Sequence, residues 1–280
     1  MCGIIGCVAK DKDIVPVLME GLRRVEYRGY DSAGIATVTD GDLVVRKVEG
    51  KIDGLVALLE QSPVSGSTGI AHTRWATHGE PSQVNAHPQT DATGKLAVVH
   101  NGIVENYRSL RRSLEEDGHV FNSETDTEVL AHLIGSHYQG NLEAAVRAAL
   151  ARVRGAYGMA VIHADEPGVL VGARNGSPLV LGIGKGTYYV ASDVAAIVRH
   201  TRDVVYLDDL EVVVATPEGF STTTLEDELV TKDVERVTWN IDTIEKNGFP
   251  HFMLKEIFEQ ERTVQDAVRG RLIEAAGDAF

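Results

Sequence analysis

Cys2 directly follows the initiator methionine in Met1-Cys2-Gly3-Ile4-Ile5-Gly6. A small second side chain favours removal of Met1, and Cys2 would then carry a thiol and a free α-amine on one residue. A thiol attacks carbonyl carbon as the thiolate, and a nearby amine can take its proton. With ordinary pKa values of about 8.5 for the thiol and about 8 for the α-amine, that transfer is nearly balanced at neutral pH. These two residues by themselves, however, are also explained if Cys2 is a small residue without a catalytic role.

Asn101-Gly102 follows an apolar strand and can offer two hydrogen-bond donors side by side. The Asn101 amide and the Gly102 backbone N–H would together form an oxyanion hole, which stabilises the charge that develops on a carbonyl oxygen under attack. An Asn-Gly pair is also a common turn sequence. The pair therefore supports an acyl-transfer site only in combination with a nucleophile.

Arg74 and Asp126 could bind the two charges of an amino acid. A guanidinium can hold a carboxylate through two parallel N–H bonds, although a surface ion pair would explain Arg74 equally. Asp126 could hold an ammonium group, although an acid at a helix N-terminus is favoured without any ligand. Together with Cys2 and the Asn101-Gly102 pair, they describe a site for an α-amino acid with a reactive acyl side chain. Glutamine fits that description.

The elements that would position these residues alternate from strands to helices and back to strands. Apolar spacing predicts helices over 13–25, 52–60, 105–116, 125–138, 142–153, 192–199 and 252–265. It predicts strands over 4–9, 34–38, 43–48, 68–73, 96–100, 159–163, 169–172, 179–183, 188–191, 204–207 and 212–215. The order indicates an α+β fold with antiparallel sheets covered by helices. The polar loops after Arg28 and Arg74, and Asn101-Gly102, all follow strands or lie at their ends, so we expect them to converge.

Composition excludes several classes of protein. The 280 residues are 43% hydrophobic, and no run approaches the roughly 18 apolar residues of a membrane helix. The N-terminus lacks a signal-peptide pattern, so we expect a cytoplasmic protein. A formal net charge of −14 argues against nucleic acids and anionic membranes as partners. With 9 Lys against 18 Arg, the acidic composition also suggests adaptation to a salty cytoplasm.

Other motifs predict no further chemistry. Cys2 and Cys7 are the only cysteines and would face opposite sides of one strand, so they can share neither a disulfide nor a metal. We expect no metal and no cofactor. The spacing of the histidines is unlike that of a metal-binding helix, and it favours capping and loop hydrogen bonds. These histidines are His72, His78, His87 and His100.

Five blocks of this sequence, in order, resemble the glutaminase domain of the glucosamine-6-phosphate synthase family. The blocks are Met1-Cys2-Gly3-Ile4-Ile5-Gly6, Arg28-Gly29-Tyr30-Asp31-Ser32-Ala33-Gly34, His72-Thr73-Arg74-Trp75-Ala76-Thr77-His78-Gly79, His100-Asn101-Gly102-Ile103 and Thr125-Asp126-Thr127-Glu128. These enzymes are class II, N-terminal-nucleophile (Ntn) glutamine amidotransferases. The resemblance implies a four-layer αββα sandwich of the Ntn-hydrolase type.

The resemblance also implies a role for each catalytic residue. Cys2 would attack the glutamine amide as the nucleophile, with its own α-amine as the base and then the acid. Asn101 and Gly102 would stabilise the oxyanion, and Arg28 would support the N-terminal cysteine. Water would then release glutamate from a γ-glutamyl thioester.

For the substrate, the resemblance assigns Arg74, Thr77 and His78 to the α-carboxylate of L-glutamine and Asp126 to its α-ammonium group. Trp75 would lie in the loop that closes over glutamine. In the full enzyme, ammonia would pass to fructose 6-phosphate and give glucosamine 6-phosphate, an amino sugar.

The resemblance predicts an amidotransferase domain over residues 1–225. Residues 226–280 would be a linker and the start of a connection to a sugar isomerase domain that is absent from this chain. Synthases of this family are roughly twice as long and could be homodimers, so we expect glutamine hydrolysis without sugar synthesis here. We expect an excised domain or a truncated chain, and two alternatives stay open: a free-standing subunit that feeds another acceptor, and a glutamine-binding module if Met1 is retained.

Overall fold

The computed structural model describes residues 2–238, 249–268, 272–273 and 278–279. The chain forms two compact units, Met1–Val237 and Thr238–Phe280. The second unit contains one helix and a two-stranded sheet among its described residues. These are Phe252–Val268 (α6), Leu272–Ile273 (β15) and Asp278–Ala279 (β16). The helix predicted over 252–265 is confirmed and continues to Val268.

Two antiparallel sheets form the centre of the first unit. The larger one has the strand order Glu235–Arg236 (β14), Asp203–Tyr206 (β11), Val180–Ile183 (β9), Thr187–Ala191 (β10), Gly3–Ala9 (β1), Thr68–Arg74 (β4), Ser32–Thr39 (β2) and Asp42–Glu49 (β3). The smaller one has the order Gly219–Thr224 (β13), Glu211–Thr216 (β12), Leu170–Asn175 (β8), Gly155–His163 (β7), Leu96–Val104 (β6) and Gln89–Thr90 (β5). The helices of this unit are Val15–Val25 (α1), Ile52–Gln61 (α2), Tyr107–Glu116 (α3), Asp126–His137 (α4) and Leu142–Leu150 (α5).

The layers are stacked as helix, sheet, sheet and helix. Side chains such as Ile4 and Ile70 of the larger sheet pack against Val99 and Ile162 of the smaller one. Helices α3, α4 and α5 cover the outer face of the smaller sheet, and α1 and α2 cover that of the larger sheet. Each fully buried aliphatic side chain stabilises the folded state by about 1.5–3 kcal/mol. The central strands are covered on both faces, which explains why they are apolar on both faces. The predicted αββα sandwich is confirmed.

Alternation along β1 separates the two cysteines. Ile4 and Val8 face the smaller sheet, whereas Ile5 packs against α1. Because successive strand residues point to opposite faces, Cys7 lies on the α1 side and is fully buried. Cys2 precedes the strand in phase with Ile4, and it therefore points toward the space between the sheets. Both cysteines are free, and burial raises the pKa of the Cys7 thiol to about 12.

The strand that carries Asn101 is longer than its apolar run. The sequence predicts an end at His100, but β6 continues through Asn101-Gly102 to Val104 and stays in register with β7 throughout. The prediction that this pair closes the strand was wrong, because pairing with β7 provides backbone hydrogen bonds past the last apolar residue. The helix predicted over 192–199 is reduced to one 3₁₀ turn, Val194–Ala196, which Asp193 caps by accepting from the Ala195 N–H at 2.9 Å.

The first unit extends past residue 225. Strand β13, with the sequence Gly-Phe-Ser-Thr-Thr-Thr, has no apolar run, so the hydrophobic pattern does not predict it. Strand β14 pairs with β11, which places Glu235–Arg236 in the larger sheet. In the described part of the chain, no helix combines the length and the apolarity needed to cross a membrane.

Candidate active site

Three side chains reach one cavity because their strands alternate in the same phase. Ile70 on β4 and Val99 on β6 face the space between the sheets, so Arg74 and Asn101, an even number of residues further along, face it too. Cys2 reaches the same space from the start of β1. The cavity has a volume of about 290 Å³, which suits a small ligand. Its lining comprises Cys2, Arg28, Arg74, Trp75, Thr77, His87, His100, Asn101, Gly102, Ile103, Asp126, Thr127, Ser177 and Pro178.

The Cys2 thiol lies against the backbone of Trp75. The Trp75 N–H donates to Sγ at 3.1 Å, and Sγ in turn lies 3.5 Å from the Trp75 carbonyl oxygen. Burial raises the pKa of the Cys2 thiol, while the Trp75 N–H and the charge of Arg74 act in the opposite direction. A hydrogen bond to the charged form favours that form. The site therefore already contains a donor for the thiolate.

The carbonyl oxygen of Cys2 is held by two side chains. Arg28 Nε donates to it at 3.1 Å and Asn101 Nδ2 at 3.0 Å. Arg28 is itself oriented by Asp193, whose Oδ2 accepts from Arg28 Nη1 at 2.9 Å and from the Tyr27 hydroxyl at 3.1 Å. These contacts fix the backbone from which the Cys2 thiol projects.

Gly102 occupies a backbone conformation that only glycine adopts readily. Its φ is +134°, and a Cβ at this position would lie 2.0 Å from the carbonyl oxygen of Ala156 on β7. The residue is nevertheless part of the ladder, opposite Tyr157. The unusual φ turns the local backbone without ending the strand, so the Asn101-Gly102 pair stays in register with Gly158 and Tyr157 of β7.

Arg74 is buried and organises the loop that follows it. Its Nη2 donates to the carbonyl oxygens of His78 and Gly79, the latter at 2.9 Å, and Nη1 lies 3.4 Å from that of Glu80. Burial lowers the pKa of Arg74, and the nearby Asp31 favours its charged form. Because arginine has five N–H donors, these bonds leave others available to a ligand.

Asp31 ties the loop after Arg28 to the loop after Arg74. Its N–H donates to the Arg74 carbonyl at 3.1 Å, and its Oδ2 accepts from the N–H of Ala76. Next to this junction, Trp75 is 51% exposed and meets the Tyr30 ring edge to face at 5.9 Å between centroids. The two polar loops thus converge, and Trp75 stands at the rim of the cavity.

Asp126 is the first residue of α4 and is buried. Thr125 caps this helix, because its Oγ1 accepts from the Glu128 N–H at 3.2 Å. Asp126 Oδ2 accepts from the Val104 N–H at 2.8 Å, while Oδ1 lies 3.9 Å from His78 Nδ1. One carboxylate oxygen therefore anchors α4 to the end of β6, and the other faces His78.

Three histidines around the site are buried and neutral. Burial lowers the pKa of His72 to about 3 and that of His87 well below its usual range, and it also lowers the pKa of His100. The expectation of loop hydrogen bonds was wrong for two of them. His72 lies on β4, and His100 lies on β6, where its Nδ1 contacts Thr127 Oγ1 at 3.1 Å.

Most of the residues that the sequence singles out line the cavity, and His78 is the exception. It lies beside the cavity wall, between Asp126 and the ring of Tyr107, which is 4.8 Å away between centroids. Several lining residues were missed. His100, Ile103 and Thr127 adjoin predicted ones and could have been found by adjacency. Ser177 and Pro178 carry no such signal, and they reach the cavity because Gly176 bridges to Tyr157 on β7.

Comparisons with known proteins identify the relatives of this chain. Residues 72–199 match the family model described as a glutamine amidotransferase domain. An isomerizing glutamine–fructose-6-phosphate aminotransferase of Methanothermobacter thermautotrophicus is 50% identical over 270 residues, covering 96% of this chain and 45% of that enzyme. The enzyme of the same name from Symbiobacterium thermophilum is 50% identical over 277 residues, covering 99% of this chain and 45% of its own. This chain thus spans less than half the length of these relatives.

A solved structure shares the architecture. Glutamine phosphoribosylpyrophosphate amidotransferase from B. subtilis, complexed with ADP and GMP, matches with a TM-score of 0.69 at 29% identity. The match covers 81% of this chain and 50% of that one. The chain therefore belongs to the glutamine amidotransferases and corresponds to the amidotransferase part of the isomerizing glutamine–fructose-6-phosphate aminotransferases.

Proposed function

We propose that this chain, after removal of Met1, hydrolyses L-glutamine to glutamate and ammonia with Cys2 as the nucleophile. The observation that carries the proposal is the Cys2 thiol in a cavity that also contains Arg74 and Asp126. A cation and an anion on the walls complement the two charges of an α-amino acid. When both charged groups of glutamine are bound to these walls, its neutral side-chain amide would lie next to the Cys2 thiol.

In the proposed reaction, Cys2 Sγ forms a bond to the amide carbon while the α-amine takes the thiol proton. The carbonyl oxygen becomes an oxyanion, which accepts hydrogen bonds from Asn101 Nδ2 and the Gly102 N–H. Loss of one such donor typically costs about 2.7–4 kcal/mol of transition-state stabilisation. The carbon–nitrogen bond then breaks, and the amide nitrogen leaves as ammonia with the stored proton. Water attacks the thioester, releases glutamate and restores the thiol.

The substrate contacts follow from the charges on the cavity wall. The remaining N–H groups of Arg74 would bind the α-carboxylate, with Thr77 and His78 beside it. Asp126 Oδ1 would accept from the α-ammonium group, since Oδ2 is already bonded to Val104. No metal or cofactor enters these steps.

The proposal is tested by intact mass and a glutaminase assay on matched cysteine variants. The purified chain should lack the mass of Met1 and should release ammonia and glutamate in equal amounts. Cys2→Ala should abolish this release. Cys7→Ala is the control, because Cys7 is buried on the opposite face of β1 and should affect only stability.

Two results would contradict the proposal. Appreciable hydrolysis by the Cys2→Ala variant would exclude Cys2 as the nucleophile. A fully processed, folded chain that binds glutamine without hydrolysing it would favour a binding module.

The acceptor of the ammonia is proposed from the names of the relatives. Those enzymes are named for fructose 6-phosphate, so we propose that the ammonia released here aminates that sugar phosphate in amino-sugar synthesis. We further propose that the full-length enzyme is a homodimer and acts in the cytoplasm. The relatives extend well beyond the region matched here. Added fructose 6-phosphate should therefore yield no glucosamine 6-phosphate with this chain alone, and a subunit that feeds another acceptor is the alternative.

A further inference from the structure

The orientation of the Asn101 amide decides whether the oxyanion meets a donor or another oxygen. One end of this amide is a nitrogen with two hydrogens, and the other end is an acceptor oxygen. Nδ2 lies 3.0 Å from the Cys2 carbonyl oxygen and donates to it. Turned by 180°, the amide would place Oδ1 against that carbonyl and toward the reacting centre, which would repel an oxyanion.

His72 contacts the other end of the same amide. Its Nε2 lies 3.0 Å from Asn101 Oδ1, in a pair of side chains that are both buried. We propose that His72 is a positioning residue for the glutaminase reaction proposed above: its Nε2–H holds Asn101 Oδ1, so that both hydrogens of Nδ2 face the Cys2 side. One hydrogen bonds to the Cys2 carbonyl, and the second is then available to the oxyanion.

The environment of His72 favours the tautomer that this role needs. Burial keeps the imidazole neutral, with a pKa of about 3, so only one ring nitrogen carries hydrogen. Nδ1 makes no hydrogen bond with any described residue. The backbone of His100 and the bond to Asn101 favour the charged ring, but burial outweighs both. Placing the single hydrogen on Nε2 satisfies Asn101 Oδ1, whereas placing it on Nδ1 would leave two acceptors facing each other.

The sheet also prevents the ring from moving away. His72 lies on β4 opposite Ile4 on β1 and Gly34 on β2, with strands paired on both sides. The His87 ring packs against it at 4.5 Å between centroids. The amide of Asn101 is therefore held between a fixed imidazole and the fixed carbonyl of Cys2, and a flip would break contacts at both ends.

The proposal is tested with two His72 variants of the full chain and a control histidine. His72→Leu keeps the bulk but removes the donor, so kcat should fall about 100-fold, the scale of losing one oxyanion donor. KM for glutamine should change by less than about threefold, because the interaction acts mainly in the transition state. His72→Gln places an amide N–H near the position of Nε2. Its kcat should therefore be at least about tenfold higher than that of His72→Leu. His163→Leu removes another buried histidine, far along β7, and should change thermal stability alone.

Two further readouts separate positioning from folding and from the proposed function itself. Alkylation of Cys2 by iodoacetamide creates no oxyanion, so its rate should be the same in both His72 variants and the parent. In the parent protein, ¹⁵N NMR of the histidine rings should show His72 as the neutral Nε2–H tautomer, assigned by loss of its signal in His72→Gln. This second measurement needs neither activity nor a folded leucine variant.

The positioning role would be overturned by an Nδ1–H or charged His72 ring in the NMR spectrum. Equal kcat losses in the leucine and glutamine variants, or a leucine variant as active as the parent, would overturn it as well. A parent chain without Cys2-dependent glutaminase activity would instead contradict the proposed function, and the tautomer result would still stand on its own.

Discussion

At the scale of single residues, Arg74 serves two purposes. Its Nη2 bonds to carbonyl oxygens of the following loop, and its charge faces the cavity near Asp126 and Cys2. The same side chain therefore shapes the loop that carries Trp75 and, in the proposed function, would provide the cation for the substrate carboxylate. A planar guanidinium can do both because its N–H groups point in several fixed directions.

We expect Arg74→Lys to raise KM for glutamine at least about tenfold, because a charged hydrogen bond is worth about 1.5–3 kcal/mol and one ammonium cannot replace the fork. Steady-state kinetics with ammonia detection measures this. Arg46→Lys is a suitable control, since Arg46 on β3 also donates to backbone carbonyl oxygens but does not line the cavity. An unchanged KM in the Arg74 variant would remove Arg74 from the substrate site.

At the scale of elements, the main determinant of the site is the continuation of β6 through Asn101 and Gly102, the proposed oxyanion donors. Pairing with β7 places Asn101 opposite Gly158 and Gly102 opposite Tyr157, and the bond from Val104 to Asp126 ties β6 to α4. The proposed oxyanion donors and Asp126, the proposed anion for the substrate ammonium group, thus lie on elements that are hydrogen-bonded to each other. A turn at this point, the alternative suggested by the sequence, would have allowed them to move separately.

Gly102→Ala should test that rigidity. A side chain at positive φ costs about 1–3 kcal/mol in strain, and the added Cβ would also lie 2.0 Å from the Ala156 carbonyl oxygen. We expect a lower urea midpoint of unfolding together with a large loss of kcat. Gly219→Ala on β13 is the matched control, because a Cβ there meets nothing within 4 Å. Equal midpoints for the two variants would show that the backbone at Gly102 is not constrained.

At the scale of the whole molecule, the acidic composition leads to a prediction about salt. Asp and Glu number 41 against 27 Lys and Arg, for a net charge of −14. Ordinary salt already screens exposed charges beyond about 8 Å. If the surface is adapted to high salt, the thermal midpoint of unfolding should continue to rise well above physiological KCl. A curve that levels off at ordinary salt would contradict this adaptation.

The sequence alone was sufficient for the layered α+β architecture and for most of the cavity lining. Periodic apolar residues identify the strands that are buried between layers, and residue types such as Cys2, Arg74 and Asp126 carry their chemistry wherever they lie. The pattern could not identify β13 or the far half of β6, because neither segment contains a long apolar run and both are defined by backbone pairing with a neighbouring strand.

Only the tertiary structure decided which residues of the site contact one another. The links from His72 to Asn101 and from Ser177 to the cavity join parts of the chain that are distant in sequence. Each depends on strand register and on which face of the sheet a side chain occupies. The sequence by itself determined which chemical groups are present, and the packing of the two sheets decided which of them meet, because hydrogen bonds depend on distances of about 3 Å that no sequence spacing specifies.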